Sequence, residues 1–135
     1  MAVVPRVVND TNVWLSALYF SGNEAKIVNQ IEEGIVTSVI SDFILQEIKE
    51  KMVAKFNTPS YAANGTISFI QSISETVPVK NVEFNLRDPK DNPVLETAVN
   101  GNCAWLITGD KDLLTIKKYS DIHIVTPTQF LYHNK

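Results

Sequence analysis

Five acidic residues, Asp10, Glu47, Asp91, Asp110 and Asp112, stand at positions from which they could work together. Asp10 closely follows the apolar run Val3 to Val8, and Asp110 and Asp112 follow a second such run that ends at Ile107. Asp91 precedes Val94, Leu95 and Ala98 by three, four and seven residues, a spacing that puts all four on one side of a helix. A carboxylate there faces apolar groups, and its charge is costly unless a cation or hydrogen-bond donors compensate it. Glu47 lies near the border of an apolar stripe, three residues after Ile44 and one before Ile48. Carboxylates gathered in one place repel one another and hold protons more tightly, whereas a divalent cation reverses that balance. Ligands that offer only oxygen favour Mg2+ or Mn2+ over zinc. Such ions activate water, hold a phosphate and stabilise a departing oxygen, so phosphodiester hydrolysis is the chemistry this set would suit.

Each acid also has an ordinary reading. Asp10 and Asp91 could simply cap helices, and Asp88-Pro89 offers a competing helix start beside Asp91. Glu47 could be surface charge paired with Lys51 four residues on. Asp110 and Asp112 suit a turn. These readings weaken jointly only if the fold carries the four segments to one place, so the elements that position them decide the matter.

The pattern predicts alternating strands and helices. Val3 to Val8 is a β-branched run without strict alternation, expected as a strand covered on both faces. Asp10-Thr11-Asn12 supplies capping side chains for a following helix. Glu24 to Glu33 has helical spacing with Gly34 as its stop, and Ile35 to Ile40 reads as a second strand. Ser41 and Asp42 start a helix with Ile44, Leu45, Ile48 and Met52 inside, and Pro59 opens another to about Ile73. Thr76 to Val79 is expected as a short third strand, placed at the sheet edge by Pro78. The helix carrying Val94, Leu95 and Ala98 ends at Gly101, Cys103 to Ile107 forms a fourth strand, and a short helix holds Leu113, Leu114 and Ile116. Ile122 to Val125 is the last strand, and Thr126-Pro127 caps a terminal helical turn. Strands separated by helices imply a mostly parallel sheet covered on both faces, with strand ends and helix starts along one edge. The 135 residues show no repeat, low-complexity tract or linker, so residues 1–135 are expected to form one domain.

Composition narrows the function classes. Cys103 is the single cysteine, which excludes an intrachain disulfide and a thiolate-rich zinc site; it is expected to be a buried thiol. His123 falls within a strand and His133 near the terminus, and neither belongs to a ligand pattern for zinc. Ser72 and Ser74 lack a nucleophile elbow, and no Gly-rich phosphate loop is present. The longest apolar runs are too short to span a bilayer and the N-terminus does not read as a signal peptide, so a cytoplasmic protein without membrane partners is expected. A net charge of -3 provides no general attraction for nucleic acid. It counts against a firm grip on long duplexes, and less against an enzyme that holds one phosphate through bound cations. Lys80, Arg87, Lys90 and Lys111 could border an entrance to the acidic edge or could be solvated loop charges, while Trp14 is expected to pack beneath the first helix.

With these segments in order, the chain resembles the PIN-domain family, which includes the ribonuclease toxins of toxin-antitoxin pairs. The resemblance is carried by VVNDTNVWLSAL, LQEIKEKM, RDPKDNPVLETA and AWLITGDKDLL, and runs from Val4 to Val125. It implies a three-layer α/β/α sandwich around a mostly parallel sheet. It also implies Asp10, Glu47, Asp91 and Asp110 as catalytic metal ligands, with Asp112 a further ligand or an outer acid. Asn12 would orient Asp10 or the substrate, and Thr108 would hydrogen-bond within the acidic site. The implied activity is Mg2+- or Mn2+-dependent cleavage of single-stranded or structured RNA by a homodimer, held in check by a small antitoxin protein. Asn9 and Trp14 depart from the family pattern, standing where hydrophobic and smaller aliphatic residues are common. Two other function classes share some of these features: a Mg2+-dependent phosphohydrolase or receiver-like signalling domain, and a noncatalytic interaction module with a PIN-like fold.

Overall fold

A computed structural model of the chain describes residues 3–80 and 89–134. Its strands are β1 (Arg6–Asn9), β2 (Thr37–Ile40), β3 (Ser74–Thr76), β4 (Trp105–Ile107), β5 (Lys118–Tyr119) and β6 (Ile122–Val125). Between and after them lie α1 (Thr11–Tyr19), α2 (Asn23–Glu32), α3 (Asp42–Phe56), α4 (Ser60–Ser72), α5 (Asn92–Asn100), α6 (Lys111–Ile116) and α7 (Pro127–His133). The strands form one sheet in the order β3-β2-β1-β4-β6-β5, parallel except for the β5–β6 pair. Parallel neighbours need long crossovers, and the helices supply them. The result is the expected three-layer α/β/α sandwich.

Register assigns the faces, since residues paired across neighbouring strands point to the same side. Val7, Ser38, Trp105 and His123 share one face, and Val8, Val39, Leu106 and Ile124 share the other. The Phe130 ring of α7 meets Trp105 edge-on at 5.6 Å, which places α7 on the first face. Gly101, at the end of α5, lies against Val39, so close that a Cβ there would come within 2.4 Å of the valine Cγ1. This puts α5 on the second face, and glycine is required there by proximity to its neighbour. Val7, Val8, Val39, Ile40, Leu106 and Ile107 are fully buried between the helical layers, as continuous apolar strands predict.

Local signals explain most boundaries. Gly34 adopts φ 77° just past α2, the left-handed conformation that ends helices cheaply at glycine. At the start of α7, Thr126 and Gln129 form a reciprocal capping box. Four expectations need correction. The first strand begins at Arg6 instead of Val3, because Val3 and Val4 are exposed and precede the start of pairing with β2. The second begins at Thr37, after a turn through Gly34. The edge strand is Ser74–Thr76, two residues earlier than expected; Val77 donates one more bond to Ile40 and pairing then stops before Pro78. The fourth strand starts at Trp105, and a two-residue strand, β5, was not expected at all.

Candidate functional site

Strand order reverses at β1. From there β2 and β3 extend to one side, whereas β4 and β6 extend to the other. The crevice beyond the carboxyl ends of β1 and β4 is therefore the topological switch point, the place where open α/β sheets bind ligands. Asp10 follows β1 and Thr108-Gly109-Asp110 follows β4. The ladder extends into both segments, since the Asp10 N–H donates to the Ile107 carbonyl at 2.9 Å and the Thr108 N–H to that of Val125 at 2.9 Å.

Both aspartates also cap helices. Asp10 Oδ1 accepts from the Thr11 N–H at 2.8 Å at the start of α1. Asp110 Oδ1 accepts from the N–H groups of Asp112 and Leu113 at 2.8 and 3.4 Å at the start of α6. The ordinary capping role is thus real for each, and a carboxylate has lone pairs to spare beyond it. Thr108 joins the two: its fully buried hydroxyl donates to Asp10 Oδ2 at 2.8 Å and accepts from the Asp110 N–H at 3.0 Å. Asp10 is itself buried, and that burial raises its pKa above the ordinary 3.8. The bonds from Thr108 and Thr11 oppose the rise, and the charges of Glu47 and Asp110 add to it. Three acids from α3 and two strand ends are therefore in electrostatic reach of one another.

Glu47, half-buried on α3, is held by a residue that sequence reasoning passed over. The hydroxyl of Thr11, 1% exposed, donates to Glu47 Oε1 at 2.5 Å. Asn12 is exposed, and its Oδ1 accepts from Lys51 Nζ at 3.5 Å. The described bonds thus link Lys51 to Asn12, and the alternative Glu47–Lys51 pair is not among them. Asp91 is 7% exposed, in a 3-10 turn (Pro89–Asp91) leading into α5, a helix packed against β1, β2 and β4. Asp112 occupies the first turn of α6. Lys80 and Lys111 are exposed, while Arg87 and Asp88 fall outside the described residues. A further acid, Glu96 on α5, is 1% exposed and accepts from the Lys80 N–H and from Asn100 Nδ2. Asn100 also donates to the Pro78 carbonyl at 2.6 Å, so the two side chains clip residues 78–80 onto α5.

Among the described residues no three of Asp, Glu, His or Cys form a ready-made metal-holding group. The donor set still fits a hard cation of the Mg2+ type, which keeps several waters and needs only one or two carboxylates from the protein. A carboxyl whose charged form is disfavoured first by burial and then by two neighbouring acids is the kind of group that cation stabilises. Nearby lies a hollow of about 80 Å3 bordered by Asn12, Ser16, Glu24 and Gly109. A roomier cleft of about 450 Å3 lies at the opposite edge of the sheet, lined in part by Asn102, Cys103, Ser120 and Asp121. There Cys103 is buried as expected, its thiol pushed up to about 12 by loss of solvent.

Asn9, the departure noted beside Asp10, is 1% exposed, and neither polar atom of its side chain has a partner among the described residues. An unpaired buried amide costs roughly 1–3 kcal/mol, and an apolar replacement removes that cost. Asn9→Val is accordingly expected to raise stability by about that amount, seen as a higher urea midpoint. A midpoint below that of the parent would mean the amide is satisfied.

The sequence profile of the PIN domain matches residues 6–112. An uncharacterized protein, MJ1680 of Methanocaldococcus jannaschii, is 33% identical over 134 residues, covering 91% of this chain and 86% of that one. The crystal structure of PAE2754 from Pyrobaculum aerophilum superposes with a TM-score of 0.59 at 15% identity, over 96% of this chain and 88% of that chain. This second likeness is one of fold alone.

Proposed function

Because this chain belongs to the PIN-domain family, we propose that it is a metal-dependent endoribonuclease that hydrolyses phosphodiester bonds of single-stranded RNA. The observation that carries the reading is the Asp10 carboxyl at the sheet's switch point, its pKa raised by burial and further by Glu47 and Asp110, and tied to Asp110 through Thr108. Asp10, Glu47, Asp91 and Asp110 would hold Mg2+ or Mn2+, with Asp112 as a further ligand or outer acid. When bound, such an ion supplies an acidified water and a positive charge beside the scissile phosphate. The chain's own residues arrange this chemistry. Thr108 fixes Asp10 relative to Asp110, Thr11 fixes Glu47, and the N-terminus of α1 adds a favourable field behind Asp10. In the reaction the water oxygen joins phosphorus and its proton passes to solvent or a carboxylate. The bond from phosphorus to the 3′ oxygen breaks, and that oxygen takes up a proton. The products are a 5′ phosphate and a 3′ hydroxyl.

A substrate panel tests the proposal: single-stranded RNA, single-stranded DNA and duplex RNA, each with Mg2+, with Mn2+ and with chelator. Cleavage of single-stranded RNA that requires the cation and leaves 5′ phosphate ends is the expected result. A purified parent protein inactive on all three substrates would overturn it. We extend the proposal to three narrower parts on the sequence resemblance alone: a toxin role in the cytoplasm, a homodimer, and a small antitoxin as partner. One observation favours a second reading, a noncatalytic interaction module of the same fold: no three-residue metal group exists among the described residues. Cation binding by the isolated protein separates the two, since only the nuclease requires it.

A further inference from the structure

The first face of the sheet carries a row, half-buried at Trp105 and exposed on either side of it, that the acidic edge does not use. Lys118 of β5 pairs across to His123 of β6, and His123 to Trp105 of β4, so the three side chains stand in line on one side. The rings of Trp105 and His123 are 5.0 Å apart. His133 of α7 stacks on the same indole at 5.9 Å and 25°, with Tyr132 edge-on to it at 5.6 Å. Lys118, His123 and His133 are exposed, and Tyr132 is 69% exposed. Behind them the fully buried Phe130 packs against Trp105 and anchors the rings to the core.

We propose that the Lys118–His123–Trp105 row, extended by His133, is a second contact surface for single-stranded RNA, outside the acidic edge. The inference rests on the nuclease reading and names how that substrate is gripped. A chain of net charge -3 with carboxylates at its candidate site repels a polyanion there, so affinity for the polymer must come from elsewhere. Flat aromatic and imidazole faces accept unstacked bases whatever their sequence, and adjacent cations follow the backbone. Lys117 and Lys118, both exposed, supply those cations at the margin of the rings. Asp121, in the turn between β5 and β6, bounds the basic stretch. Trp105 lies two residues, about 7 Å, back along β4 from its carboxyl end.

The test uses a uridine decamer in the presence of chelator, so that binding is read without cleavage. Trp105 is a built-in reporter, since the other tryptophan, Trp14, is fully buried. The decamer is expected to quench tryptophan emission, and Trp105→Phe to abolish that signal. Lys118→Glu and the double variant His123→Ala/His133→Ala are each expected to weaken binding about five- to a hundredfold by fluorescence anisotropy. Their thermal midpoints report on folding, and the Lys118 and His123 side chains are exposed. Absence of quenching, or parental affinity in both folded variants, overturns the surface. The two readings fail separately. If the parent never cleaves RNA but the variants lose affinity, the surface stands without the nuclease; if cleavage occurs and affinity does not change, the nuclease stands without the surface.

Discussion

Asp10→Asn is expected to lower cation-dependent cleavage of single-stranded RNA by roughly 10²- to 10⁴-fold, the range for removing a group that acts at the reacting atoms. The fold should survive, because asparagine keeps the oxygen that caps α1, and its amide N–H can donate to the Thr108 hydroxyl in place of the bond that Oδ2 accepted. The same substitution has a second, independent signature. The Asp10 carboxyl is held above its ordinary 3.8, first by burial and then by Glu47 and Asp110, against the bonds from Thr108 and Thr11. A group whose pKa is raised by folding stabilises the fold below its unfolded value and loses that contribution as pH rises through its folded value. The metal-free parent is therefore expected to lose stability as pH climbs from 3.8 through the raised pKa, and Asp10→Asn to lack that component of the slope. Millimolar Mg2+ should restore stability to the parent alone. Thermal melts across pH with chelator check this. Parallel slopes for parent and variant would remove Asp10 as the titrating group, and unchanged cleavage would remove it from the site.

Thr108→Val keeps shape but takes away a hydroxyl that serves two acids at once. Asp10 Oδ2, which is buried, loses a donor, and the N–H of the half-buried Asp110 loses an acceptor. Cation affinity is expected to fall about 10- to 100-fold, the usual cost of removing a partner that orients a metal ligand. Stability should fall by about 1–3 kcal/mol from the unpaired groups. Thr108→Ser, which retains the hydroxyl, should recover most of both. Titration with Mn2+ followed by calorimetry separates the outcomes. If the valine variant binds the cation as tightly as the parent, Thr108 is a packing residue and no more.

Most of the scaffold behind these predictions was legible because it rests on local signals. The Val94, Leu95 and Ala98 spacing marked the buried side of α5, and the β-branched runs marked central strands. Legibility failed where long-range pairing decides. Nothing in Lys118–Tyr119 itself marks a strand, which exists only because β6 lies beside it. The burial of Glu96 could not be read either, since its backbone partner, Lys80, is sixteen residues away. At the acidic edge, the Asp-Thr-Asn triplet drew attention to Asn12, whereas Thr11 turned out to hold an acid. A helix start fixes which side chain caps it, but which hydroxyl reaches a carboxylate on α3 depends on how two helices pack. Asp10 and Asp110, by contrast, follow directly from where β1 and β4 must end.

The outermost strands, β3 with three residues and β5 with two, carry a further consequence. So few free amide and carbonyl groups make a poor template for a strand from another molecule, and Lys118 on the second rim discourages such docking further. Copies of this protein are therefore not expected to associate by extending the sheet from edge to edge.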